Sequence, residues 1–119
     1  MDIATTIVLT VTAAANIGIA VADLGRARFV LANSAEVGVP ESWLPRLAAL
    51  KGAGGIGLLL WFADLPVLPA LAAAGLVCFF IGAITAHSRA RVLYNIAFPG
   101  AYFALAVASL TLLLCGTHA

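Results

Sequence analysis

The chain has 119 residues, of which 64% are hydrophobic and 9% charged, with a formal net charge of +1 and a mean hydropathy of +1.13. A soluble domain carries about 25% charged residues, and a chain this small has too much surface for its volume to hide such apolar content from water. Lipid is the solvent this composition fits, and the near-neutral charge excludes a nucleic-acid binder, which needs a basic face for phosphates.

A membrane-crossing helix needs about 20 mostly apolar residues, and in lipid its backbone must satisfy its own hydrogen bonds. The first such run covers 3–22. Its end, Ala20-Val21-Ala22, looks like a signal-peptidase site. No Lys or Arg precedes the run, however, so it reads as a retained span. A long first connection follows, from Asp23 to Pro45. Its part up to Ala32 either continues the first helix or lies along the interface. Residues 33–45 read as a loop, with Gly38 and Pro40 as breakers.

The second run covers 46–65 and the third 67–86. Pro66 and Pro69 flank a tight hairpin between them, with Asp64 at the membrane surface; proline suits the first turn of a helix, where its missing donor is harmless. His87-Ser88-Arg89 stops the third run, and the fourth covers 96–116. The ten-residue alternation of a membrane barrel is missing. The expected fold is a single all-α membrane domain over 1–119, a four-helix bundle with a long first connection and a Pro-containing hairpin between helices two and three.

The basic residues set an orientation. Arg26, Arg28, Arg46, Lys51, Arg89 and Arg91 all fall in or beside the first and third connections. By the positive-inside rule those connections are cytoplasmic and both termini are not. The expectation is a multi-pass protein of the cell membrane. Trp43 and Trp61 sit near opposite interfaces, as anchoring aromatics do. Cys78 and Cys115 form no CxxC and share no metal-ligand spacing with His87 or His118, so neither a metal site nor a disulfide is expected.

Polar residues inside lipid are costly, and each requires an account. Thr5, Thr12, Asn16 and Asp23 are spaced by seven, four and seven, which returns them to one helix face at 3.6 residues per turn. Asn95, Tyr102 and Ser109 repeat every seven and form another such face. Lys51 shares its face with Gly54 and Gly55, and small residues mark close helix contacts. With alternating spans, Asn16, Asp23, Lys51, His87, Tyr94 and Asn95 share the cytoplasmic third. The expected site is a cavity there, lined by Asn16, Lys51 and His87, with Lys51 as its main polar group. Asp23 is the nearest acid, and Tyr102 and Asn95 contribute from the fourth helix. Simpler accounts compete: Lys51 snorkelling to the headgroups, His87 as an interfacial end residue, Asp23 pairing with Arg26, and Thr or Ser bonding to the preceding turn.

Two stretches carry a family resemblance. Val39-Pro40-Glu41-Ser42-Trp43-Leu44-Pro45, followed by Leu50-Lys51-Gly52-Ala53-Gly54-Gly55-Ile56-Gly57-Leu58-Leu59-Leu60, resembles DoxX-like membrane proteins. So does Ala72-Ala73-Ala74-Gly75-Leu76 with Phe80-Ile81-Gly82-Ala83-Ile84-Thr85-Ala86-His87-Ser88-Arg89-Ala90-Arg91. The resemblance covers about residues 30 to 105. It implies a four-helix membrane fold and an association with redox chemistry, since some DoxX proteins are membrane subunits of thiosulfate–quinone oxidoreductases or partners in thiol-oxidant defence.

Two functions are therefore expected, with a third behind them. The first is a membrane partner of a redox system that holds a hydrophobic, quinone-like small molecule, with Lys51 or His87 hydrogen-bonding its carbonyl. The sequence carries no intrinsic redox centre, so a diffusing quinone or a soluble partner would supply it. The second is an enzyme performing isomerisation, cyclisation or epoxide opening on an apolar metabolite, with Lys51, His87 and Asp23 as catalytic acid and base. The third is a structural or transport-related subunit, working as a homo-oligomer.

Overall fold

The computed structural model describes residues 3–65 and 67–116. Among the described residues there are five α-helices: α1 (Ile3–Leu24), α2 (Arg28–Glu36), α3 (Leu44–Leu59), α4 (Leu68–Arg89) and α5 (Ala97–Gly116). A 3₁₀ turn at Glu41–Trp43 leads into α3, and another at Leu60–Ala63 ends it. Four segments among the described residues are long and apolar enough to cross a membrane: Ile3–Leu24, Glu41–Ala63, Leu68–Arg89 and Ala97–Cys115. The long axis of 44 Å exceeds the roughly 30 Å of a bilayer's hydrocarbon core, so the helix ends reach the headgroups.

The four spans pack in a ring. Helix α1 lies against α3 and α5, and α4 lies against the same two from the other side. Leu9, Ala13, Leu58, Ala73, Leu76, Phe80, Ala106 and Leu113 form the shared core. The outer faces expose Ile7, Val11, Ile56, Leu71, Ile81 and Leu114, the pattern of helices whose outer solvent is lipid.

Glycines set the closest approaches. A Cβ on Gly55 would come within 2.8 Å of Ile17 Cγ1 and 3.0 Å of the Ala13 carbonyl oxygen, so α1 and α3 nearly touch backbones there. A Cβ on Gly54 would meet Leu76 of α4 at 2.5 Å. Small residues in the α3 seam thus let both neighbours close on it, as in membrane helix pairs generally. Across the ring, Ser109 Oγ of α5 donates to Thr12 Oγ1 of α1 at 2.9 Å, and Thr12 Oγ1 donates to the Val8 carbonyl at 2.7 Å. The expected polar stripe of α1 is buried throughout, at Thr5, Thr12, Asn16 and Asp23.

The connections hold the departures from expectation. The first helix stops at Leu24. Arg26 takes a left-handed φ of 54°, and the Ala27 amide reaches back to the Ala22 carbonyl at 3.0 Å, the six-to-one bond of a Schellman stop. Part of the segment expected as a loop is helical: Asn33, Ser34, Ala35 and Glu36 belong to α2. Tertiary packing explains it, because Val30 buries against Ile19 and Leu44. Gly38, at φ 76°, then ends α2 with the same six-to-one bond, Val39 N to Ser34 O at 2.9 Å. The third span runs to Arg89 rather than ending at 86, since His87, Ser88 and Arg89 are polar but not helix-breaking. It stops at Arg91 (φ 58°), where Val92 N bonds the His87 carbonyl at 2.9 Å.

The hairpin between α3 and α4 forms as expected. Asp64 adopts φ 58° at the end of the 3₁₀ turn, a conformation Asp tolerates better than most residues. Pro69 sits in the first turn of α4 and Pro45 in that of α3. Pro66 and His118 lie outside the described residues.

Candidate functional site

The Arg-rich end of the bundle encloses a cavity of about 660 Å³ with mostly apolar walls. Helix α2 closes it from one side and the α4–α5 connection from another. Its volume falls within the 300–1,000 Å³ typical of small-molecule sites. Two polar groups interrupt the apolar lining.

The first is an ion pair. Lys51 enters from the second turn of α3 and Asp23 from the last turn of α1, and Nζ meets Oδ2 at 2.6 Å. Their side chains are only 11% and 4% exposed. A lone buried charge would be prohibitive; together each supplies the other's counter-ion. Oδ2 takes part in this contact as an ion pair without a hydrogen bond. An ammonium has three N–H donors, and Asp23 is its one oxygen partner among the described residues, leaving donors for another acceptor. Lys51 Nζ also stands 5.5 Å from the centre of the Phe79 ring, a favourable cation–π approach.

The second is an amide–imidazole cluster. His87, on the last turn of α4 and 4% exposed, directs Nδ1 at the Ala83 carbonyl at 3.0 Å and Nε2 at Asn33 Oδ1 at 3.1 Å. Asn95 Nδ2 reaches the same Asn33 oxygen at 3.0 Å. Asn33 thereby ties α2 to α4 and to the turn that precedes α5. At the mouth, Tyr94 donates to Glu36 at 2.5 Å. That hydrogen bond to a carboxylate holds the exposed Tyr94 phenol above its ordinary range, aided by desolvation and by the negative charge itself.

Of the residues singled out from sequence, Asp23, Lys51, His87 and Asn95 line this cavity. Asn16 and Tyr102 lie outside its wall. Asn16 is fully buried between helices, donating from Nδ2 to the Thr12 carbonyl at 2.9 Å. Tyr102 donates to the Ala15 carbonyl at 3.2 Å and stacks on Phe98 at 5.2 Å, so it braces α5 against α1. Asp23 pairs with Lys51, while Arg26 pairs with Glu41. Asn33 and Glu36 were missed because their segment read as a loop; the polar Asn33 beside apolar Leu31 and Val30 was the available signal. Cys78 and Cys115 are both free and exposed. No cluster of three or more metal-ligating side chains occurs among the described residues.

Four apolar spans closing on a cavity at one end, mostly apolar in its walls but holding an ion pair, define a multi-pass membrane protein with an internal pocket. Its relatives can be named more narrowly. The chain belongs to the DoxX-like family, whose model matches residues 7–109. No significant match was found among curated proteins or solved structures.

Proposed function

We propose that this protein holds an amphipathic, quinone-like molecule drawn from the bilayer and serves as the membrane partner of a redox system. The supporting observation is the Lys51–Asp23 pair facing an apolar cavity of about 660 Å³. Lys51 donates from Nζ to a carbonyl oxygen of the ligand head and stabilises negative charge that develops there. The apolar tail lies along the remaining wall, near Phe79 and Phe80. The electrons come from a soluble partner or from the diffusing ligand itself in its reduced form. Binding is favoured over acid–base catalysis by this chain alone because both ring nitrogens of His87 are engaged and Lys51 is held by Asp23. The Arg-rich end is cytoplasmic in this reading, and a cysteine placed at Asp2 is labelled only from the opposite side.

The test is mass spectrometry of small molecules carried through gentle detergent purification. Wild type should retain a quinone. The charge-free double variant Asp23→Leu/Lys51→Met should lose it while keeping its helical circular dichroism. Equal retention by both proteins would end the proposal.

A further inference from the structure

The seam between α3 and α4 is shut at one end of the bundle and open at the other. The two helices run antiparallel from the hairpin at Asp64. Near the hairpin they touch: a Cβ on Gly57 would stand 2.6 Å from Ala72 Cβ, and one on Gly54 would meet Leu76 at 2.5 Å. These contacts set the register. One turn further along, Lys51 lies opposite Phe79, with Nζ 5.5 Å from the ring centre. Carried to the Arg-rich end, the same register places Leu47 opposite Gly82 and Ala83, and Trp43 opposite Ala86.

There the seam does not close. All five of these residues line the cavity. A Cβ on Gly82 would meet nothing within 4 Å, in contrast to Gly54 and Gly57. A second hollow of about 460 Å³ adjoins the cavity at this point, and Val39, Trp43, Gly82 and Ala86 belong to both walls. Leu50 and Cys78 line the cavity and are also exposed, Leu50 to 59%. Trp43, Leu50, Cys78 and Gly82 all fall within membrane-spanning segments. The cavity is therefore slotted through the side of the bundle at a depth where the surroundings are lipid.

A cavity of about 660 Å³ suits a drug-sized molecule. A head carrying a long hydrocarbon tail exceeds it. We infer that the bound molecule keeps its head and the first part of its tail in the cavity, and that the rest of a long tail passes between α3 and α4 into the bilayer, with Gly82 holding the slot open. This rests on the proposed quinone-binding reading and narrows it to long-tailed ligands. Tail units beyond the slot lie in apolar surroundings whether the molecule is bound or free, so they neither add to affinity nor subtract from it. In a closed cavity each added unit would instead have to displace packed side chains.

A tail-length series tests this. Methoxylated benzoquinones carrying one, two, four or eight isoprene units are mixed in equal amounts in micelles with the full chain. Native mass spectrometry then reads the complexes. Wild type should carry the four- and eight-unit quinones to within about twofold of the two-unit one, since the added units leave the cavity. Gly82→Trp, which fills the slot, should lower the eight-unit signal relative to the one-unit signal at least about tenfold. Gly75→Trp, on the same helix in open space but off the cavity wall, should keep the wild-type pattern. A steep fall beyond two units in wild type would mean a closed cavity; it would overturn the slot and leave the cavity reading standing. A wild-type pattern in Gly82→Trp would also overturn the inference, and failure of every quinone to bind wild type would overturn both readings. The wild-type series requires no variant to fold.

Discussion

Replacing Lys51 by Met leaves Asp23 buried without its counter-ion. At 2.6 Å and an effective dielectric constant near 20, the gross attraction between the two charges is about 6 kcal/mol. Taking two ions out of water costs several kcal/mol each, so the intact pair is close to neutral for folding. An orphaned partner is not: Lys51→Met and Asp23→Leu should each cost about 3–5 kcal/mol. In the double variant no charge remains, and stability should return to within about 1 kcal/mol of wild type or rise above it. Reversible unfolding in mixed micelles, followed by far-ultraviolet circular dichroism, gives all four corners of the cycle. The double variant should be more stable than the sum of the singles by at least about 3 kcal/mol. Effects that add to within about 0.5 kcal/mol would refute the pair as an energetic unit.

Gly55→Ala should destabilise the bundle by about 1–3 kcal/mol, since the new Cβ meets the Ala13 backbone oxygen. Gly54→Ala should cost a similar amount, since its Cβ would meet Cδ2 and Cγ of the buried Leu76 at 2.5 and 2.7 Å, and Gly18→Ala, with open space around it, should cost nothing; the same unfolding assay ranks them. The raised Tyr94 phenol means that its bond to Glu36 is fully present at neutral pH and is lost only as alkali titrates the tyrosine. Phenolate absorbance should therefore appear at lower pH in Glu36→Gln than in wild type, and an unchanged titration would contradict the contact. Alkylating Cys78, which lines the cavity, with a bulky maleimide in a Cys115→Ala background should block quinone retention. Alkylating Cys115 in a Cys78→Ala background should not, and reduction should leave the mass of the wild-type monomer unchanged because both thiols are free.

The spans were legible because lipid imposes a length and a composition on every crossing segment. The buried stripe of α1 was legible because spacings of seven and four preserve a helix face. What the spacing withholds is the neighbour across that face. Asn16 and Tyr102 point inward as their repeats required, yet they meet α1 backbone carbonyls instead of the cavity. Helix α2 was illegible for a different reason. Its mean hydropathy is modest, breakers lie just beyond it, and it is held by Val30 against Ile19 and Leu44, residues distant in sequence. With α2 read as loop, Asn33 had no fixed position, so its bridge to His87 and Asn95 could not be foreseen.

Two residues past the ends of α1 and α4 stand arginines, Arg26 and Arg91, in a conformation usually given to glycine. In a membrane chain these residues do double duty. An arginine resists passage through the bilayer during synthesis, and here the same residue turns the backbone out of the helix. How much chain is threaded and where the rod stops are therefore written in one codon. Arg26→Gly would ease the turn but weaken the retention signal, whereas shifting the arginine by one position would keep the signal and misplace the turn. Helix length and insertion direction in this protein must drift together or not at all.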